Sequence, residues 1–215
     1  MAYPILEIRK HVTVEEIDYV YLMTTLQKWA APRNVVSRLV KKGELVRIKK
    51  GIYIFGSDFA KRPYSLEILA NKIYGPSYIS QEYALSYWGI IPEKVKVVTS
   101  MTTGKNKDFS TPVGRFVYQS LDFHSFSIGV TYIKIGNTGA LIATPEKALI
   151  DLLTSRKEKE HNADLLLRIL FEDFRIEPEV FYGMDQKIMQ QIIKIHPQSI
   201  AMPLLKLLKK RKFYA

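Results

Sequence analysis

Polar and basic side chains recur at helical spacing in residues 33 to 42. At roughly 100° per residue, one arc of this segment is apolar and consists of Val35, Val36, Leu39 and Val40. The opposite arc has no acidic residue and consists of Arg33, Asn34, Ser37, Arg38 and Lys41. In the major groove of DNA, Arg suits guanine edges and Asn suits adenine edges. The spacing therefore predicts a helix over 33–42 that packs through its apolar arc and reads DNA with its outer arc.

A basic hairpin is predicted to follow this helix. Gly43 is a helix stop, and the segments ELVRI and IYIF after it alternate as strands do. They are joined by Lys49, Lys50 and Gly51, which form a basic tip. We expect the cations of this region to contact phosphates: Lys42, Arg47, Lys49 and Lys50.

Two further helices are predicted upstream. Thr13 and Glu16 have capping-box spacing and begin a helix over 13–22, and Thr24 or Thr25 begins a short second helix that ends before Pro32. Three helices and a basic hairpin predict a winged helix-turn-helix DNA-binding domain over 1–57. A winged helix used only for protein contact is the alternative.

Composition and charge favour a soluble protein that binds a polyanion. The net charge is +11, and the segment from Lys28 to Arg62 holds ten basic and two acidic residues. Such a cluster is typical of nucleic-acid binding, although a solvated face can also be basic. No apolar run approaches the roughly 18 residues of a membrane span, and the N-terminus lacks the pattern of a signal peptide. We therefore expect a cytoplasmic protein without a membrane partner. The absence of cysteine excludes disulfides, thiolate zinc sites and cysteine nucleophiles.

Beyond a turn-rich linker at 56–63, the sequence predicts a larger mixed α+β domain over 63–215. The predicted elements are a helix capped by Ser65, a helix over 78–93, strands over 95–101 and 114–121, and a hairpin of 130–135 with 140–144. Thr144 and Pro145 then begin a helix, and the chain is predicted to be helical from there to its end. The fold class of the whole chain is therefore predicted to be α+β, with a C-terminal helical region.

No pattern in the second domain indicates catalysis. The histidines lack metal-ligand spacing, G-x-S-x-G is absent, and residues 102–112 fail the Walker pattern at Thr99 and Asn106. We therefore predict no enzyme activity, no cofactor and no metal, and we interpret 102–112 as a mobile basic loop. Lys105 and Lys107 are its candidate contacts to nucleic acid or to a partner protein. Asp151 is predicted to be buried and to accept backbone hydrogen bonds.

Aromatic residues are frequent between Tyr83 and Phe126. Such residues can stack on bases, but at helical and strand spacing core packing is the favoured interpretation. The residues concerned are Tyr83, Tyr87, Trp88, Phe109, Phe116, Tyr118, Phe123 and Phe126.

Four motifs, in order along the chain, resemble the AbiEi family of type IV antitoxins. They are G-E-L-x-R-x-x-x-G-I-Y from Gly43, S-x-x-x-A-L-x-x-W-G-I-I-P from Ser80, T-S-x-T-T from Thr99 and A-T-P-E-K-A-L-I-D from Ala143. The resemblance implies a transcriptional autorepressor that binds its own promoter through the winged helix. It also implies a second domain that counters an AbiEii-like nucleotidyltransferase toxin without a stable complex. An antitoxin that covalently modifies its toxin, for example by phosphoryl transfer, is the alternative from the enzyme class.

Overall fold

The computed structural model of the chain describes residues 3–156, 162–195 and 198–209. It has a mixed α+β fold with two sheets, which agrees with the predicted fold class. The helices are α1 (Pro4–Lys10), α2 (Tyr19–Thr25), α3 (Pro32–Lys41), α4 (Leu66–Ile73), α5 (Gln81–Tyr87), α6 (Pro145–Ser155), α7 (Ala163–Arg168), α8 (Pro178–Gly183), α9 (Gln186–Ile193) and α10 (Gln198–Lys209). A 3₁₀ turn at Phe123–Ser125 and a π-helical turn at Ile169–Asp173 complete the helical elements of the described residues.

The strands form one small and one larger sheet. They are β1 (Glu16–Asp18), β2 (Leu45–Lys49), β3 (Ile52–Phe55), β4 (Ser77–Ile79), β5 (Val98–Thr102), β6 (Lys107–Thr111), β7 (Gly114–Ser120), β8 (Val130–Ile135) and β9 (Thr138–Ala143). The small sheet is antiparallel and has the order β1-β3-β2. The larger sheet has the order β6-β7-β5-β4-β9-β8, and its β5·β7 and β4·β9 pairs are parallel.

The first part of the chain differs from the prediction before α3. The predicted helix over 13–22 is wrong before residue 19, because Glu16 and Ile17 pair with β3 as strand β1, and it is confirmed only over 19–22. Helix α2 begins only at Tyr19, where the side chain of Asp18 accepts from the backbone NH of Tyr21 at 2.8 Å. The predicted second helix is also wrong, since residues 26–31 form turns, and α1 was not predicted. The buried apolar side chains of α1, α2 and α3 share a first hydrophobic cluster with most of those of the small sheet, whereas Ile48 and Ile54 of that sheet belong to a second, larger cluster.

The second part of the chain follows its local sequence signals more closely. Ser65 caps α4 through its hydroxyl, and Thr144 caps α6 with Pro145 at the first helical position, both as predicted. The predicted helix over 78–93 is confirmed only as α5, because its first residues continue strand β4. The predicted mobile loop over 102–112 is wrong in its second half, where β6 pairs antiparallel with β7. After β9 the described residues are helical apart from short connections, as expected, and residues 210–215 lie outside the described range.

A fully buried polar network joins β4 to α6. Asp151 accepts from Lys147 Nζ at 2.7 Å, from Ser80 Oγ at 2.7 Å and from Tyr78 OH at 2.9 Å. All four side chains are completely buried. The prediction that Asp151 is buried is confirmed, but its described partners are side chains rather than backbone groups. Burial raises the pKa of the Asp151 carboxyl, while the Lys147 ammonium and the two hydroxyls lower it.

The core interpretation of the aromatic residues is confirmed in part. Phe116, Tyr118 and Tyr83 are buried in the larger hydrophobic cluster. Trp88 packs against the same cluster and donates from Nε1 to the carbonyl of Ala143 at 2.8 Å. Two residues differ, since Tyr87 is 44% exposed and Phe123 is 75% exposed. Both still contact a neighbouring ring, Trp88 and His124 respectively.

The linker lies against the first part of the chain. Residues 56–65 contain no helix or strand, as predicted for 56–63. Their backbone is nevertheless held by two buried carboxylates, because Glu15 accepts from the NH of Lys61 and Glu16 accepts from the NH of Ser65. Glu15 also forms a buried ion pair with Arg9 at 2.6 Å.

Candidate nucleic-acid interface

A basic surface covers the outer side of α3 and the β2–β3 hairpin. Helix α3 matches the predicted 33–42 helix closely, and Val35, Val36 and Leu39 are buried as its apolar arc requires. The predicted outer residues are exposed: Arg33, Asn34, Ser37, Arg38, Lys41, Lys42, Arg47 and Lys50. We call these eight residues the basic surface.

The turn after α3 fixes the hairpin relative to the helix. Gly43 adopts φ +73°, and its NH donates to the carbonyl of Val40 while the NH of Glu44 donates to the carbonyl of Leu39. This pair of bonds is a Schellman motif, which satisfies the last carbonyls of the helix. The far end of the hairpin returns to the same turn, because the NH of Gly56 donates to the carbonyl of Glu44 at 2.9 Å. A Cβ at Gly56 would lie 1.8 Å from the carbonyl oxygen of Gly43, so only glycine allows this approach.

The tip of the hairpin is held by α2. Gly51 adopts φ +92° in the two-residue connection between Lys49 and Ile52. Its carbonyl accepts from the backbone NH of Tyr19 at 2.8 Å. The start of α2 and the hairpin tip are therefore joined directly through the backbone.

An open cleft of about 640 Å³ lies where α2, α3 and the hairpin meet. Its lining residues come from all three elements: Tyr19, Arg33, Arg47, Lys50, Gly51 and Tyr53. Arg33 Nε donates to Tyr19 OH at 3.1 Å, which orients the guanidinium. We call this site the hairpin cleft. The sequence predicted its three cations but not the two tyrosines, because Tyr19 was placed inside a helix and Tyr53 only in a strand.

The donors of the basic surface have few partners within the described residues. Lys42 Nζ lies 3.9 Å from Glu44 Oε1, and Ser37 Oγ donates to the carbonyl of Arg33 at 3.0 Å. Among described residues, the side chains of Asn34, Arg38 and Lys41 have neither a hydrogen bond nor an ion pair. These groups can therefore meet a ligand without first breaking an internal contact.

Lys49 differs from the other predicted contacts because its ammonium is already engaged. It donates to the carbonyl of Ile73 at 2.8 Å and lies 4.2 Å from the ring centroid of Phe109. Burial lowers the pKa of Lys49, and the nearby charge of Lys107 lowers it further. Lys49 therefore links the hairpin to α4 and β6, and we leave it out of the basic surface.

Lys105 and Lys107 are both exposed, at the start of β6. The backbone NH of Lys105 donates to Tyr74 OH at 3.2 Å, which holds this turn against α4. Lys107 begins the same strand as Phe109, whose ring lies 4.2 Å from Lys49 Nζ, so this strand lies beside the hairpin. These two cations remain candidate contacts that extend the positive charge of the hairpin.

Neither a metal site nor a membrane-spanning helix is found in the described part of the chain. It contains no cluster of three or more metal-ligating side chains, and none of its helices is long and apolar enough to cross a membrane. Two of the histidines, His161 and His196, lie outside the described residues.

No protein-family model and no curated protein matches the chain. The resemblance to the AbiEi family therefore rests on the four sequence motifs.

Proposed function

We propose that the chain is a DNA-binding transcriptional regulator that represses its own promoter through a winged helix-turn-helix in residues 3–57. The observation that carries this proposal is the basic surface, whose cations lie on a helix and on the hairpin fixed to it. The order of elements supports it as well. A helix, a strand, two helices and a hairpin follow one another, and the small sheet has the order β1-β3-β2, which suits a winged helix.

In this proposal α3 enters the major groove. Asn34 and Arg38 carry side-chain donors suited to adenine and guanine edges, and Ser37 serves either base. Lys41 and Lys42 lie at the C-terminal end of α3, where they contact phosphates. The apolar arc of α3 holds the helix on the first hydrophobic cluster, so the readout residues project from a fixed support.

The test is binding of the full chain to a duplex from the region upstream of its own gene, measured by fluorescence anisotropy over a salt series. If about five phosphates are neutralised, the slope of log affinity against log salt is about −4 to −5. Lys187→Ala is the control, because this exposed lysine lies on α9 and outside the basic surface. Affinity that does not change with salt, or no binding at low salt, contradicts the proposal.

We further propose that residues 63–215 counter a nucleotidyltransferase-type toxin, as the AbiEi resemblance implies. Two observations support this proposal: the presence of the four motifs, and the hydrogen bonds that join the second motif to the fourth. Ser80 of the second motif and Asp151 of the fourth are hydrogen-bonded in the core, and Trp88 donates to Ala143. These motif residues stabilise the second part of the chain. The surface that would counter the toxin is therefore built from other residues.

A further inference from the structure

The hairpin cleft combines positive charge, concave shape and a fixed arginine. Arg33, Arg47 and Lys50 are exposed cations from two different elements, and all three line the same cleft. Tyr53 is buried beneath it and Tyr19 is half-buried beside it. Asp18, the residue before Tyr19, lies 3.8 Å from Lys72 Nζ, so its charge is already paired with a cation on α4.

From this arrangement we propose that the hairpin cleft binds a phosphodiester segment of one DNA strand, with Arg33 as a phosphate contact. This inference rests on the proposed DNA-binding function and assigns a different role to Arg33 from its neighbours Asn34 and Arg38. A cleft between a groove-reading helix and a hairpin is crossed by the sugar-phosphate backbone that borders the groove. Phosphate oxygens there meet a planar guanidinium, which favours two parallel hydrogen bonds.

Tyr19 acts as a positioning residue in this site. Its hydroxyl accepts from Arg33 Nε at 3.1 Å, which leaves the terminal guanidinium nitrogens of Arg33 free to face the cleft. Its backbone NH also holds Gly51 at the hairpin tip, so Tyr19 touches both walls of the cleft. A preset arginine loses less conformational entropy on binding than a freely rotating one.

The experiment compares the full chain with single variants on two duplexes of equal length, one from the upstream region and one with that sequence scrambled. Arg33→Ala, Arg47→Ala and Lys50→Ala each lower affinity for both duplexes by the same factor. Each also reduces the magnitude of the salt slope by about one, as expected for a lost phosphate contact. Asn34→Ala is the matched neighbour of Arg33, and it reduces the preference for the upstream duplex without changing the slope.

Duplexes with a single neutral methylphosphonate locate the contact. Wild-type affinity falls at the position that faces the cleft, whereas Arg33→Ala and Arg47→Ala are insensitive to neutralisation at that same position. Tyr19→Phe retains the salt slope but binds both duplexes more weakly, because it removes the orienting hydroxyl and no charge. Circular dichroism of each variant checks the fold: the arginine, lysine and asparagine side chains are exposed, and Tyr19→Phe keeps the half-buried ring in place.

Two results would overturn the inference while leaving the proposed function intact. One is that Arg33→Ala changes the preference between the duplexes at constant slope, which would make Arg33 a base-reading residue. The other is that Arg33→Ala, Arg47→Ala and Lys50→Ala bind DNA as tightly as the wild type, while millimolar inorganic phosphate protects the arginines of the cleft from chemical modification. That result would indicate a site for a small anion. Failure of the wild-type chain to bind any duplex at low salt is a different result, and it refutes the proposed function itself.

Discussion

Single side chains on the basic surface differ in how many partners they have within the protein. Arg33 is oriented by Tyr19, Ser37 returns its hydrogen bond to the helix backbone, and Arg38 has no described partner. An unpartnered guanidinium can adopt the planar, two-bond geometry that guanine requires. Arg38 is therefore the residue of α3 from which we expect the largest contribution to sequence preference.

Replacing Arg38 tests this assignment. Arg38→Ala is expected to weaken binding to the upstream duplex by about 1 to 3 kcal/mol and to reduce its preference over scrambled DNA. Lys41→Ala, one turn further along the same arc, is expected to weaken binding to both duplexes equally. Competition titrations with the two duplexes measure the difference. Equal losses on both duplexes for both variants would contradict this division between base and phosphate contacts.

The buried Lys147–Asp151 pair carries a prediction about stability. Asp151→Asn leaves the Lys147 ammonium in the core without a counter-charge, which typically costs about 3 to 5 kcal/mol. Glu172→Gln is the matched control, because Arg168 and Glu172 have the same four-residue spacing but are exposed, and exposed pairs contribute little. Urea unfolding of the full chain measures both changes. The double variant Lys147→Met/Asp151→Asn removes both charges but keeps an amide oxygen to accept from Ser80 and Tyr78, so it should recover much of the loss. A loss as large as that of Asp151→Asn alone would refute the argument.

Among the elements, those whose first and last residues are marked in the sequence could be predicted from it. Helix α3, its hairpin and helix α6 are marked by Pro at the first turn, by Gly43 at the end of α3 and by the Thr144 cap. Two of the elements that were wrong are strands, and each is defined by the strand it pairs with, which is distant in the chain for β1 and the next strand for β6. Glu16 and Ile17 become a strand because β3 lies beside them, and 107–111 become a strand because β7 does.

The same distinction applies to the candidate site. The exposed arc of α3 follows from helical periodicity alone, so its residues could be predicted. The hairpin cleft needs Tyr19 beside Arg33, and Lys49 needs the Ile73 carbonyl and Phe109 beside it. These contacts arise from tertiary packing. No pattern in the sequence shows that the Lys49 ammonium is hydrogen-bonded within the protein whereas the Lys50 side chain is exposed.

The hairpin as an element offers a test with adjacent residues. Lys49→Met keeps the apolar stem but removes the hydrogen bond to Ile73, so the hairpin is held less firmly against α4. We expect weaker DNA binding with an unchanged salt slope, because no phosphate contact is lost. Lys50→Ala should instead reduce the magnitude of the slope by about one. A decrease of that size for Lys49→Met would indicate that its ammonium contacts DNA after all.

At the scale of the whole molecule, contacts across the linker make it difficult to delete one predicted domain without destabilising the other. Glu15 and Glu16 hold the backbone of Lys61 and Ser65, and Ile48 and Ile54 of the hairpin belong to the larger hydrophobic cluster. Deleting residues 1–60 would remove all four of these side chains. A truncated chain could then lose activity through instability alone, so substitution on the basic surface is the cleaner test.

We therefore predict that Arg38→Glu/Lys41→Glu abolishes promoter repression but retains toxin neutralisation. Charge reversal places repulsion against phosphate where attraction is needed, and both side chains are exposed, so the core should be unaffected. Repression is measured with a promoter reporter. Neutralisation is measured as colony survival when the variant is expressed from an unrelated promoter together with a nucleotidyltransferase toxin encoded beside its gene. Lys187→Ala should retain both activities. If the reversed variant stays folded by circular dichroism but loses repression and rescue together, the two activities share a surface, and the assignment of separate roles to the two parts of the chain is wrong.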